Sequence, residues 1–236
     1  MKFFQPFLFL ILLSSNFSAK VGVYFGSFDP PHIGHLEVAR SARDLLNLEK
    51  VYILPNVKPT GKFLASDFRH RYAMVRRFIS KNKSLVTLPR YLMETVYSHN
   101  PSDYIGDLIR ILSQREGRET TLYHICGTDS FFKMKKYGKL PRMGEKRVVA
   151  VAPRKGYTFP RTTDIEDLER SGKLILLNTD IPLISSSMIR RAIHQNRPQI
   201  YSKLPSDIFF YIRSRRLYQD EWEPFRPKIS PFRKKM

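Results

Sequence analysis

The stretch Gly26-Ser27-Phe28-Asp29-Pro30-Pro31-His32-Ile33-Gly34-His35 decides how this chain is read. It follows a short apolar run, Lys20–Phe25, that reads as a strand. It precedes Ile33–Leu48, where Leu36, Ala39, Ala42, Leu45 and Leu46 recur at helical spacing. The stretch is therefore a strand-to-helix loop. Gly26 lets the chain turn tightly and a ligand come close to the backbone, and Pro30 and Pro31 stiffen the loop. Gly34 falls at the helix start, where unpaired N–H groups favour a phosphate. His32 and His35 share one face of a helical turn. Two imidazoles aimed at a phosphate cluster can donate hydrogen bonds and stabilise charge on a pentavalent phosphorus. Taken alone, the pair also fits two structural histidines or half of a metal site.

Outward from the loop, strands alternate with helices. Val51–Leu54 is a strand ending at Pro55, and Leu85–Leu88, Thr121–Cys126, Arg147–Ala152 and Lys173–Leu177 are further strands. Ser66 and Asp67 are placed to cap a helix through Met74, Val75, Phe78 and Ile79. Tyr104–Arg115 reads as a helix with Leu108, Ile111 and Leu112 as its apolar stripe, and Ser186–His194 and Ser206–Arg215 read as two more. This alternation predicts a parallel sheet covered on both faces. Ligands bind such sheets at the carboxyl ends of strands, here the loops after Phe25, Leu54, Cys126 and Leu177.

A second motif is Ile184-Ser185-Ser186-Ser187-Met188-Ile189-Arg190. Ser185 or Ser186 can cap the following helix, and Arg190 can add a guanidinium suited to multidentate phosphate contact. By itself this also describes an ordinary capped helix.

With both motifs in view, the chain resembles the nucleotidyltransferase superfamily that carries the H-x-G-H signature. That resemblance implies a doubly wound, Rossmann-like α/β fold with helices on both faces, in a single domain. It implies nucleotidyl transfer by direct in-line attack on the α-phosphate of ATP, with Mg2+ accompanying the nucleotide and no dedicated protein metal site. By resemblance, His32 and His35 contact the phosphates, and Ile184, Ser185, Ser186 and Arg190 match the I-S-S-T/S-x-x-R segment that binds the β- and γ-phosphates.

Further matches are to nicotinate or nicotinamide mononucleotide adenylyltransferases. Gly127-Thr128-Asp129-Ser130 resembles their G-x-D segment beside the nucleotide. Lys62 carries the basic residue of the loop after the second strand. Arg71 to Met74 resembles their R-x-x-M helix start, and Tyr211-Ile212 with Leu217-Tyr218 resembles their C-terminal helix. The implied ATP site is Gly26, Ser27, Phe28, Gly34, Gly127, Asp129, Ile184, Ser185 and Ser186, with His32, His35, Lys62 and Arg190 as catalytic groups. The implied mononucleotide site is Ser102, Asp103, Tyr104 and Tyr137. It departs from the family at two places. Asp103 stands in an S-Y-T segment, where a carboxylate repels an anionic substrate unless it points away. Tyr137 replaces a Trp that stacks on the pyridine ring and offers a smaller ring.

Composition bounds the rest. The 236 residues, 42% hydrophobic and 26% charged, suit one domain of ordinary size. The net charge of +20 attracts anions without saying which. No RNA-module motif is present, so no specific nucleic-acid partner is expected. A pantetheine-phosphate adenylyltransferase, a cytidylyltransferase, and a non-catalytic nucleotide- or nucleic-acid-binding protein are the alternative readings. The single cysteine, Cys126, excludes an internal disulfide and a C-x-x-C zinc site; lying in an apolar run, it reads as buried and inert.

The chain divides into residues 1–19, an apolar signal-like or anchor segment; 20–218, the nucleotidyltransferase domain; and 219–236, a basic Pro-containing tail. Residues 1–19 fit an export signal, a start codon placed too early, or a short membrane-contacting segment. Catalysis with ATP implies the cytoplasm. The oligomeric state is not encoded in any of these features.

Overall fold

Four apolar runs, VGVYF, VYIL, LYHIC and VVAVA, are too continuous for strands with one wet face. They require burial on both sides, as in a parallel sheet covered by helices. A computed structural model, which describes residues 19–59, 64–142, 144–153, 159–179 and 181–219, has that architecture. The strands are β1 (Lys20–Gly26), β2 (Lys50–Pro55), β3 (Leu85–Val86), β4 (Thr121–Gly127), β5 (Arg147–Ala152) and β6 (Leu174–Leu176). They form one sheet in the order β3-β2-β1-β4-β5-β6, with every pairing parallel.

The helices are α1 (Ile33–Leu46), α2 (Phe68–Ile79), α3 (Arg90–His99), α4 (Tyr104–Glu116), α5 (Thr128–Lys136), α6 (Thr163–Arg170), α7 (Ser186–His194) and α8 (Ser206–Ser214). Alternation along β1 sends Tyr24 to one face, where it packs with Val38, Ala39 and Ala42 of α1. It sends Val21, Val23 and Phe25 to the other face, against Met93 of α3 and Leu108 and Leu112 of α4. Phe131 of α5 and Ile165 of α6 cover Val149 and Val151 of β5. A lateral cluster of Met74, Phe78, Ile189, Ile193, Ile208 and Ile212 docks α7 and α8 onto α2. The expected doubly wound α/β fold is the fold observed. Strand order runs outward from β1 in both directions, so the switch point lies between β1 and β4.

Several local expectations are corrected. The first helix stops at Leu46 because Asn47 takes a left-handed conformation (φ 52°) and returns its N–H to Arg43 O. Leu45 is therefore exposed, and Leu48, beyond the turn, is buried. Ile111 is half-buried rather than a core position of α4; Tyr104, Leu108 and Leu112 are its buried residues. Asp67 occupies the N-cap of α2 without a side-chain cap bond, and the Ser66 hydroxyl turns instead to Asp29.

Helices α3, α5 and α6 were not expected. Each of α3 and α6 buries one residue, Met93 and Ile165 respectively, so neither shows an apolar stripe in sequence. The segment Thr128–Ser130, expected as loop, is already the first turn of α5. Residues 1–18, the tail from 220 onward and Lys62 lie outside the described residues. Among the described residues no helix is long and apolar enough to cross a membrane.

Candidate active site

The carboxyl ends of β1 and β4 meet at the switch point. Tyr24 pairs with Ile125, so two residues further on Gly26 and Gly127 end the two strands side by side. At Gly26 an added Cβ would lie 2.8 Å from Phe28 Cζ, so a side chain there would collide with that ring. At Gly127 an added Cβ would meet nothing within 4 Å. Open space therefore begins at the end of β4, where Gly127 is also the N-cap of α5.

The loop from Gly26 to His32 is bent by Phe28, whose φ of 50° is unusual for a residue with a side chain. Phe28, expected in the ATP site, is 1% exposed, with its ring covered by the protein. The ring packs edge-on against Tyr24 and His35, at centroid distances of 5.4 and 5.0 Å, and so forms the floor of the loop. His32 is the N-cap of α1, and its backbone N–H donates to His35 Nδ1 at 3.2 Å. The two imidazoles are stacked, with centroids 3.7 Å apart. The helical turn that the sequence suggested does not include His32, whose backbone is extended (φ −148°, ψ 172°); the rings meet through this cap contact instead. Burial pushes the His32 imidazole down to about 4, so it is neutral at pH 7.

The second motif closes the loop from above. At Gly34 an added Cβ would lie 2.9 Å from Ile184 Cγ2 and 3.1 Å from His32 Nδ1, so only glycine permits this approach. Ile184 thereby acts as a wall against the helix start. Ser185 caps α7 by accepting from the Met188 N–H, and Ser186 Oγ donates to Pro30 O at 2.8 Å. Arg190 is buried, with Nη1 donating to Asp29 O at 2.6 Å and Nη2 to Ser187 Oγ at 3.3 Å. The side chains expected to reach for phosphate are largely occupied in fastening the loop after β1 to α7.

Two residues with no separate role in the sequence reading organise the site. Asp29 is 1% exposed, and its carboxylate accepts from Ala65 N–H (2.8 Å), Ser66 Oγ (2.5 Å) and Tyr218 Oη (2.8 Å). Arg71 is fully buried and donates to four backbone carbonyls: Ser66 (3.2 Å), Ser27 (3.0 Å), Asn56 (2.6 Å) and Val57 (2.8 Å). It ties the loops after β1 and β2 together and brings a cation beneath them. Burial lowers its pKa, but an arginine stays protonated. Sequence offers one signal for Arg71, its place in the R-x-x-M match, and none for Asp29.

Buried polar atoms without a protein partner gather at these loops: Ser27 Oγ, His32 Nδ1, Asn56 Oδ1, Thr128 Oγ1 and Arg190 Nε. Such atoms are costly when left unpaired. Their concentration at the ends of β1, β2 and β4 marks a place built for a polar ligand. Among the described residues, no group of three or more His, Cys, Asp or Glu side chains converges to hold a metal.

The side expected to hold the mononucleotide is mixed. Tyr104 is buried, and burial raises its pKa. Ser102 is exposed and donates to Asn100 Oδ1. Asp103 is paired with Lys139 Nζ at 2.8 Å and lies 3.8 Å from Arg110 Nη1, so its charge is offset. Tyr137 ends α5 and is 59% exposed, with a face open to solvent. Cys126 is buried and its thiol pushed up by burial, as expected of an inert residue.

A doubly wound sheet with a histidine-bearing loop at its switch point is the architecture of a nucleotidyltransferase. The chain belongs to the cytidylyltransferase-like family, whose model matches residues 23–192. It is 33% identical over 204 residues to a protein of Chlorobium phaeobacteroides named probable nicotinate-nucleotide adenylyltransferase, across 85% of this chain and 99% of that one. A Bacillus pumilus protein of the same name is 29% identical over 205 residues, covering 85% and 98%. The fold is shared with Plasmodium falciparum nicotinic acid mononucleotide adenylyltransferase complexed with NaAD, at a TM-score of 0.55 and 19% identity, covering 87% of this chain and 100% of that one.

Proposed function

We propose that this chain transfers AMP from ATP to nicotinate mononucleotide, giving the dinucleotide and pyrophosphate, in NAD biosynthesis. The observation that carries the reading is the set of unpartnered buried polar atoms around the His32–His35 loop at the β1/β4 switch point. The names of the 33% and 29% identical relatives support nicotinate mononucleotide as the acceptor.

ATP lies over Gly26–His35, its phosphates at the N-terminus of α1, where backbone N–H groups and the helix dipole favour negative charge. Mg2+ accompanying ATP would spread the negative charge of its phosphates; no side chain of this chain is assigned to hold it. An oxygen of the acceptor's 5′-phosphate attacks the α-phosphorus; the bond from that phosphorus to the bridging oxygen of the β-phosphate breaks, and pyrophosphate leaves with the electron pair. The attacking phosphate is already ionised, so no general base is needed and catalysis is positioning plus charge stabilisation. His32 reaches this state neutral and donates one N–H; the arriving phosphates raise its affinity for a second proton. His35, Lys62 and Arg190 supply the remaining stabilisation. Tyr137 stacks on the pyridine ring, and the pairing of Asp103 with Lys139 removes the repulsion that a free carboxylate would exert on an acidic acceptor.

The test is pyrophosphate release with ATP and, in turn, nicotinate mononucleotide, nicotinamide mononucleotide and phosphopantetheine. Turnover with nicotinate mononucleotide is expected. No turnover with either pyridine mononucleotide would refute the acceptor, and turnover with phosphopantetheine alone would reassign it.

A further inference from the structure

The chain continues past α8 through an irregular turn. Arg216 and Tyr218 both take positive φ, 50° and 66°, conformations that side-chain-bearing residues seldom adopt. This turn drives the Tyr218 ring inward, into the cluster with Met74, Phe78, Ile208 and Ile212. Its hydroxyl ends 2.8 Å from Asp29 Oδ1, a contact between residues 189 positions apart in sequence. Ser66 Oγ donates to the same oxygen at 2.5 Å, and the two hydroxyls lie 3.3 Å from each other. Ala65 N–H takes Oδ2. The carboxylate is thus held by three donors in a site closed to solvent. Arg190, the cation facing it, sits 4.0 Å from Oδ2 and gives its close bond to the Asp29 carbonyl.

A buried carboxylate in this state cannot replace a lost donor with water at the same place, so it must shift to regain solvation. Pro30 and Pro31 separate Asp29 from His32, and their fixed φ angles leave little slack to absorb such a shift. A displacement of Asp29 is therefore handed to the start of α1. The left-handed Phe28 on the other side makes the loop a bent segment held at Asp29.

We propose that Tyr218 is a positioning residue for the reaction: by fastening Asp29 it sets the backbone that carries His32 and His35 against the nucleotide phosphates. The inference rests on the reading of Gly26–His35 as the ATP loop. Burial followed by the neighbouring Asp29 holds the Tyr218 hydroxyl far above its ordinary pKa, so it remains a donor throughout the working range. Arg216 is the left-handed cap that ends α8, with Leu217 N–H returning to Ile212 O, and the left-handed Tyr218 beyond it turns the ring toward Asp29.

The experiment compares full-length Tyr218→Phe, Asp29→Asn and the double variant with wild type, by steady-state pyrophosphate release at 25 °C. Tyr218→Phe keeps the aromatic ring in the core and removes the hydroxyl alone. We expect it to lower kcat/KM for ATP by about 10- to 100-fold, since sub-ångström misplacement of reacting groups has effects of that order. KM for the mononucleotide should stay within about twofold. Added to Asp29→Asn, the same change should cost less than about twofold more, because residues acting through one contact are not additive. A merely structural hydroxyl would lower Tm and leave both kinetic constants of the folded enzyme intact; that result overturns the proposal, as does an equal loss in the Asp29→Asn background. Should Tyr218→Phe not fold, Ser66→Ala removes the other hydroxyl from the same oxygen without touching the core, and unchanged kcat/KM for ATP in that variant also overturns it. A wild type without turnover sinks the ATP-loop reading and the proposal with it, whereas an active wild type with an unaltered Tyr218→Phe sinks the proposal alone.

Discussion

Replacing Arg71 by lysine keeps the charge and removes the geometry. The guanidinium is fully buried and distributes its N–H groups to four carbonyls, with Nη1 shared by Ser27 and Asn56, Nη2 on Val57 and Nε on Ser66. An ammonium is a point donor on a flexible stem and cannot span that fork. If lysine satisfies two of the carbonyls, two remain buried and unpaired. At about 1.5 kcal/mol each, that is about 3 kcal/mol. This is a large part of the 5–15 kcal/mol by which domains are stable. For a domain of this size each kcal/mol shifts Tm by about 2–4 °C, so a fall of about 6–12 °C is expected. Urea unfolding followed by circular dichroism measures the loss directly. A midpoint and slope within about 0.5 kcal/mol of wild type would show that water reaches these carbonyls and that Arg71 is not the tie between the loops after β1 and β2.

Other outcomes test the site itself. His35→Ala should reduce turnover by about 10²–10³, as losing one transition-state donor does; unchanged kcat would remove His35 from the chemistry. Gly34→Ala places a Cβ 2.9 Å from Ile184 Cγ2 and 3.1 Å from His32 Nδ1, so ATP affinity, read by isothermal titration, should weaken by about tenfold as that crowding is relieved. His32 and His124 are held by burial at about 4 and about 3, below the unfolded value of 6.5. The unfolded chain therefore binds more protons between these values. The stability this contributes is present above about pH 6.5 and is lost as pH falls toward 4, by up to about 2 kcal/mol per histidine at pH 5. His124→Phe should remove about half of that slope in urea unfolding at stepped pH, and an unaltered slope would contradict it. Chelation by EDTA should abolish pyrophosphate release and added Mg2+ restore it; turnover that survives chelation would show that ATP reacts without the metal.

Sequence alone carried the fold a long way. The short apolar runs at β1, β2, β4 and β5 read as strands buried on both faces, and helical spacing in α1, α2 and α4 showed what lies between β1, β2 and β4. The sequence placed His32 and His35 at a helix start, but the stacking of their rings comes from the cap, where the extended His32 gives its N–H to His35 Nδ1. Where local pattern was thin it failed: α3 and α6 each bury a single residue, and α5 starts on a segment that resembled a loop. Side-chain roles set by distant partners were not legible at all. Phe28 belongs to the floor rather than the ligand face because Tyr24 and His35 close around it. Ser186 and Arg190 hold the loop after β1 because Pro30 O and Asp29 O are there to accept from them. Asp29 and Arg71 matter through contacts with Tyr218 and with carbonyls of the loops after β1 and β2. The loop Gly26–His35 was written in the order of its residues. Its shape was decided by groups up to 189 residues away, because a buried polar atom takes whichever partner the tertiary fold brings within hydrogen-bond reach.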